Sequence, residues 1–104
     1  MLENSVKGIV YHLSSYAWKD KDTGNPVAII KIFYIYRKVN DTETEVGFDT
    51  GSTSIQYSEE AFNKLKSDYL LKTTNLTFKY IPDFKEKEKL IPKLYAVNDF
   101  VIKQ

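Results

Sequence analysis

The segment from Val27 to Lys38 constrains this chain more than any other, because strand-forming side chains follow one another there with hardly a break. Isoleucine, valine, phenylalanine and tyrosine dominate it, and such side chains pack well on a pleated, half-buried surface. Its even-numbered positions are apolar almost throughout, whereas the odd-numbered ones include the cations Lys31 and Arg37. Since successive side chains of a strand point to opposite faces, we expect the even face to form the core.

Four further strands are predicted from apolar and β-branched side chains that alternate with polar ones. The polar residues 19–26 end in Gly, Asn and Pro, and they predict a hairpin loop between the first two strands. Gly47 and Gly51 predict bends in the third strand, and Pro82 ends the fourth. The predicted strands are residues 6–18, 27–38, 45–50 with an extension up to 57, 76–81 and 94–103.

One helix is predicted over residues 58–71. The Ser58 hydroxyl can accept hydrogen bonds from free backbone N–H groups, and Glu59 and Glu60 complement the helix dipole. Apolar side chains then recur at helical spacing. Together with the strand alternation, they predict a core that contains Ile30, Ile32, Phe62, Leu65, Leu76, Phe78 and Phe100.

Length and composition indicate a small soluble domain. A chain of 104 residues suits one core, so we expect a single domain over residues 1–104. It contains no cysteine, which excludes disulfides and thiolate chemistry. The first residues lack the layout of a secretory signal, and no apolar run is long enough to span a bilayer. We therefore expect a cytoplasmic protein with no membrane partner.

Nothing in the sequence predicts catalysis or a cofactor. His12 is the only histidine, and no glycine-rich phosphate loop, paired-histidine motif or serine elbow occurs. The acidic residues Asp41, Glu43, Glu45 and Asp49 lack calcium-loop spacing and are typical of a solvated turn. We expect a protein that is not an enzyme and that holds no metal ion or cofactor.

The order strand, strand, strand, helix, strand, strand is that of the OB-fold. An SH3-like barrel does not usually include such a helix, and a ferredoxin-like fold needs a helix between its first two strands, where this chain has only a loop. A sheet with one helix packed across it stays open as an alternative. We predict a mainly β chain, a five-stranded OB-fold barrel with one α-helix between strands 3 and 4.

In architecture, the chain resembles the small OB-fold single-stranded DNA-binding proteins of phages and mobile elements. The resemblance rests on the aromatic and basic strand 29–38, the loop 19–26, the helix 58–71 and the lysine-rich segment 83–93. The chain departs from these proteins in lacking the long acidic, glycine-rich tail by which many bacterial members recruit partners, and its net charge is only +1. The resemblance implies largely sequence-tolerant binding of single-stranded DNA in replication or recombination, with RNA left open as a ligand.

The residues that would carry such binding are exposed rings on which bases stack and cations that follow the phosphates. In the OB-fold they lie on strands two and three and on the loops after strands one and four. Phe33 is equally compatible with stacking and with the core, because a shift of one residue exchanges its role with that of Tyr34 or Tyr36. The predicted binding residues are Tyr16, Trp18, Lys19, Lys21, Lys31, Phe33, Arg37, Phe48, Lys85, Lys87 and Lys89.

Charge and tyrosine content leave a second hypothesis open. Residues 39–60 contain six acidic and no basic side chains, whereas residues 1–38 carry a net +3 and residues 61–104 a net +4. A mixed solvated surface also produces so modest an asymmetry. The eight tyrosines favour a protein-interaction module, such as a small phage or mobile-element factor that inhibits or adapts a host complex. We also expect a host or replication protein as a partner, and a homo-oligomer that pairs through open strand edges.

Overall fold

A computed structural model describes residues 3–37, 46–82, 85 and 90–102 of the chain. Six strands form one antiparallel sheet with the order β3-β2-β1-β4-β5-β6. The elements are β1 (Glu3–Lys19), β2 (Pro26–Arg37), β3 (Phe48–Gln56), α1 (Glu59–Lys64), a π-helical turn (Leu65–Tyr69), β4 (Thr73–Pro82), β5 (Leu90–Val97) and β6 (Phe100–Val101). The mainly β architecture, with the helix between β3 and β4, is confirmed.

The predicted barrel differs from the observed sheet in closure and in strand number. β3 and β6 are the edges of the sheet, and no strand pairing joins these edges within the described ranges. The predicted fifth strand is two strands, because the chain reverses at Asn98, whose φ is 51°. The Asn98 N–H donates to the Asn75 carbonyl at 2.7 Å, and the Asn98 side chain accepts from the Asn75 N–H at 2.7 Å. These two bonds fix the turn against β4.

β1 is long enough to pair with two neighbouring strands. Its first half pairs with β4 from Glu3 to Ile9, and its pairing with β2 runs from Gly8 to Lys19. The second half of β1 therefore extends beyond β4 as a hairpin with β2. A turn closes this hairpin, and in it the Asp20 carboxylate accepts the Asp22 N–H at 2.9 Å. The hairpin loop predicted over residues 19–26 is confirmed, although Lys19 and Pro26 belong to the strands.

The core lies on the side of the sheet that α1 and the π-helical turn cover. The even face of β2 is buried there, as predicted, with Tyr34 completing the row of isoleucines. Of the other predicted core residues, Phe62 and Phe100 are half-buried and pack at the margin. Those that are buried as predicted are Ile30, Ile32, Leu65, Leu76 and Phe78.

Side-chain hydrogen bonds stabilise both ends of the helical segment formed by α1 and the π-helical turn. Ser58 caps α1 as predicted, since its hydroxyl accepts the Ala61 N–H at 3.0 Å. At the other end, the buried Tyr69 donates its hydroxyl proton to the Asp99 carboxylate at 2.5 Å. This bond ties the π-helical turn to the β5–β6 turn. No helix in the described residues is long and apolar enough to cross a membrane.

Candidate functional site

Residues 7–18 of β1, 27–37 of β2 and 48–56 of β3 form a continuous part of the sheet, and its side that points away from the core is called the outer face here. Directly paired residues of antiparallel strands project to the same side of the sheet, so the register assigns its members. Phe33 is paired with His12, and Arg37 with Phe48. The outer face consists of Lys7, Ile9, Tyr11, His12, Ser14, Tyr16 and Trp18 from β1, Val27, Ile29, Lys31, Phe33, Ile35 and Arg37 from β2, and Phe48, Thr50, Ser52, Ser54 and Gln56 from β3.

A β-bulge in β1 determines which aromatic rings reach this face. The register of β1 against β2 shifts between Val10 and His12, so Tyr11 has no cross-strand partner of its own. Before the bulge the odd positions of β1 face outward, and after it the even positions do. Without the bulge, Tyr16 and Trp18 would share the buried side with Val10. Bulges commonly re-aim side chains in this way, often beside functional sites.

Phe33 lies at the centre of the outer face and is half-buried there. Its ring centroid is 5.3 Å from that of His12, in an edge-to-face arrangement, and 6.2 Å from that of Tyr11. The Lys31 Nζ lies 5.2 Å from the Phe33 centroid, within the range of a cation–π contact. A rigid ring platform with an adjacent cation therefore occupies the middle of the sheet.

Tyr34, by contrast, belongs to the core, so the register that the sequence left open is decided. Its ring stacks on Tyr36 at 6.1 Å and packs against Phe78 at 5.5 Å. Burial, together with the neighbouring Tyr36, raises the pKa of Tyr34 to about 12. The tyrosines of β2 are thus unavailable as a stacking surface on the outer face.

Two exposed rings continue the outer face towards the hairpin tip. Tyr16 and Trp18 expose 48% and 49% of their surface, and the rise of a strand separates them by about 7 Å. Lys19, paired with Pro26, projects to the opposite side, and Lys21 lies in the turn. The structure thus groups the two rings with Phe33, whereas the exposed Lys19 projects from the opposite side of the strand because successive side chains alternate.

At the other end of the outer face, Arg37 is paired with Phe48, whose ring is 69% exposed. Phe48 and Arg37 line a small cleft of about 150 Å³ together with Ile9 and Lys7. The predicted residues Lys31, Phe33, Arg37 and Phe48 therefore share one surface with Tyr16 and Trp18. Lys85 is exposed in the segment after β4, whereas Lys87 and Lys89 lie outside the described residues.

The charge of the outer face is one-sided. The residues named above as its members include the cations Lys7, Lys31 and Arg37 and no carboxylate, although the chain has 14 acidic residues. The nearest acidic residue of β3, Asp49, is paired with Tyr36 on the inner side. A surface with aromatic rings, hydroxyl groups and positive charge attracts anions and planar groups.

Sequence reasoning missed two rings of this surface and one cation outside it, on β4. Tyr11 and His12 reach Phe33 only because of the bulge, and no pattern in the neighbouring residues predicts this bulge. On β4, the Lys79 Nζ lies 3.6 Å from the ring centroid of Tyr95. The alternation of Lys79 with the buried Phe78 was the available signal for that outward cation.

Metal binding has no support among the residues that the structure describes, because no group of three His, Asp or Glu side chains there is arranged to hold an ion. The predicted solvated turn at Asp41, Glu43 and Glu45 lies outside those residues. Comparison with known proteins finds no matching family model, no matching curated protein and no matching solved structure.

Proposed function

We propose that this chain binds single-stranded nucleic acid, DNA in the first place, on the outer face and with little sequence preference. One observation carries the proposal: exposed and half-buried rings and three cations share a surface on which no side chain that the structure describes is a carboxylate. Bases of any sequence stack on aromatic rings, and cations follow the phosphates of the strand.

The arrangement of the outer face supports a binding path along β1 and β2. Trp18 lies at one end, Phe33 with Lys31 in the middle, and Arg37 with Phe48 at the other end. The eleven residues from Val27 to Arg37 span about 33 Å at the usual rise of a strand. Both rings and cations occur along this length, which suits a strand whose bases and phosphates both need partners.

The outer face also bears on which fold the sheet belongs to. We propose an OB-like barrel that is open between β3 and the β5–β6 hairpin. The central position of β1 between β2 and β4, and the helix between β3 and β4, support this assignment. The role we propose, coating of exposed single strands during replication or recombination of a phage or mobile element, rests on the architectural resemblance alone.

The test is fluorescence anisotropy with a labelled oligothymidine at increasing salt. We expect tight binding at low ionic strength that weakens steeply with salt, because neutralised phosphates release counterions. The double variant Lys31→Ala/Arg37→Ala should lose most of this binding while its folding is intact. The matched control is Lys64→Ala/Lys66→Ala, which removes the same charge from exposed positions on the helical segment. Absence of binding by the unmodified protein at low salt would sink the proposal.

A protein-interaction module is the second candidate, and the exposure of Tyr11, Tyr16 and Trp18 favours it. Tyrosine serves protein interfaces well because its rigid amphipathic ring orders at a small entropic cost. The same Lys31→Ala/Arg37→Ala variant separates the two candidates. If biological activity persists after oligonucleotide binding is lost, the outer face serves a protein partner instead.

A further inference from the structure

One edge of β3 pairs with β2; the other, called the second edge here, is the edge of the sheet and presents backbone N–H and C=O groups at regular intervals. The Tyr57 N–H donates to the Ala28 carbonyl at 2.9 Å, so this pair is of the hydrogen-bonded kind. Hydrogen-bonded and non-hydrogen-bonded pairs alternate in an antiparallel ladder. Ile55, and every second residue before it in β3, therefore bonds to β2. The residues between them direct their N–H and C=O groups to the other edge, and all of them are exposed: Phe48, Thr50, Ser52, Ser54 and Gln56.

This edge lacks three of the features by which proteins prevent strand pairing. Lysines, prolines and bulges protect exposed edges. β3 contains no lysine or proline, and its pairing with β2 is regular over all nine residues. The outer edge of β5, in contrast, contains Pro92 and Lys93 and is partly covered by β6. Within the described residues, nothing pairs with the second edge of β3.

We propose that β3 pairs antiparallel with the β3 of a second copy of this chain, across a two-fold axis near Ser52. The sheet then continues from one copy into the other. The proposal concerns the edge of the sheet and stands whether or not the outer face binds nucleic acid.

The side chains of β3 are compatible with pairing to themselves. In a register centred on Ser52, Thr50 of one copy lies opposite Ser54 of the other, and small hydroxyl-bearing side chains form favourable cross-strand pairs. Asp49 is the only ionised residue of β3, and it lies opposite Ile55 of the second copy. No like charges meet across this axis, so the electrostatic repulsion that often prevents self-pairing is absent.

The two ends of β3 also complement each other. Val46 and Phe48, at its start, expose 74% and 69% of their surface. Antiparallel pairing places Phe48 of each copy opposite Gln56 of the other, and both side chains project to the outer face. A two-fold interface is self-complementary in this sense, because each contact occurs twice.

One strand edge is a small interface, so the dimer should be weak. Stable interfaces bury about 1,200–2,000 Å², and pairing through one strand buries less. We expect a monomer–dimer equilibrium with a dissociation constant on the order of 10 µM, measurable by sedimentation velocity. It should depend little on salt, since main-chain hydrogen bonds carry it. A chain that sediments as a monomer up to about 1 mM overturns the proposal.

Two charge variants test the register. In Thr50→Lys/Ser54→Lys, like charges face each other twice across the axis, and dimerisation should weaken at least about tenfold. In the matched Thr50→Glu/Ser54→Lys variant, opposite charges face each other, and dimerisation should be retained or strengthened. Equal dimerisation by the two variants contradicts the proposed register.

Amide hydrogen exchange on the unmodified chain supplies a measurement that needs no variant. The N–H groups of Ser52 and Ser54 should exchange more slowly at high protein concentration, because pairing protects them. The N–H of Thr53 is the internal control, since it belongs to the β2 ladder at every concentration. Exchange at Ser52 and Ser54 that is independent of concentration overturns the proposal.

Discussion

The ring of Tyr34 lies directly over Gly51 on the neighbouring strand: a Cβ atom at position 51 would be 2.5 Å from the Tyr34 hydroxyl oxygen. The two residues are cross-strand partners of β2 and β3, and Tyr34 is buried. Glycine is needed here for close approach of the ring and not for a turn. The bend expected at this position is absent, because the ladder on both sides of Gly51 stays regular.

We predict that Gly51→Ala lowers the free energy of unfolding by about 1–3 kcal/mol, because the added methyl group forces the Tyr34 ring out of its packed position. Urea denaturation measures the change. The adjacent Ser52→Ala, which alters an exposed side chain, should remain within about 0.5 kcal/mol of the unmodified chain. In a Tyr34→Ala background the Gly51 substitution should lose most of its effect, and equal effects in both backgrounds would contradict the ring contact.

The Tyr69–Asp99 hydrogen bond predicts a specific loss of stability at high pH. This bond is the main cause that raises the pKa of Tyr69 to about 12, with burial second. A raised pKa in the folded state means that the stabilisation is complete below the unfolded value, about 10, and is lost as the pH rises towards 12. The free energy of unfolding should therefore fall over this range.

Tyr69→Phe tests this prediction by denaturation at pH 8 to 12. The variant should be less stable at pH 8, and its stability should fall less steeply above about pH 10. Tyr34, whose pKa burial also raises to about 12, is present in both chains, so its contribution cancels from the comparison. Parallel pH profiles for the two chains would count against the hydrogen bond.

The same bond acts on the other partner at low pH. It is the main cause that lowers the pKa of Asp99. A lowered pKa gives stabilisation that is present above the unfolded value, about 3.9, and is lost as the pH falls through the folded value. Asp99→Asn should therefore flatten the acid side of the stability profile below about pH 4. A profile of unchanged slope would contradict this assignment.

Trp18 is an exposed ring of the proposed stacking surface, and its removal should weaken binding. Each ring stacked on a base contributes about 1–3 kcal/mol to binding, so Trp18→Ala should weaken oligothymidine binding by about tenfold or more. Because Trp18 is half exposed, thermal stability should change little. Trp18→Phe is the matched control, since it keeps a ring at the same position. Equal affinity of Trp18→Ala and the unmodified chain would remove this ring from the binding path.

Much of the fold was predictable because burial on one side imposes a clear pattern. β2 alternates Ile30 and Ile32 against Lys31, and only one face of such a strand can enter the core. Ser58 followed by two glutamates identified the start of the helix, because capping is a local interaction. Such local patterns can be predicted without knowing the contacts between distant parts of the chain.

The remaining features depend on contacts between distant residues. The bulge at Tyr11 reverses the outward side of β1, and nothing within its own neighbourhood distinguishes it from regular strand. The turn at Asn98 is stabilised by Asn75 of β4, so the predicted fifth strand was divided by a tertiary contact. Whether the sheet closes depends likewise on how the edges of β3 and β5 approach each other.

Lys31 and Lys19 provide the sharpest test of the binding face, because both are basic, both were predicted to bind, and the structure assigns them to opposite sides of the β1–β2 hairpin. Lys31→Ala should weaken oligothymidine binding and reduce the slope of log affinity against log salt by about 1, as expected when one phosphate contact is lost. Lys19→Ala removes the same charge and should leave that slope nearly unchanged. Anisotropy titrations between about 50 and 200 mM salt distinguish the two variants. If Lys19→Ala has the larger effect on the slope, the nucleic acid does not follow the outer face.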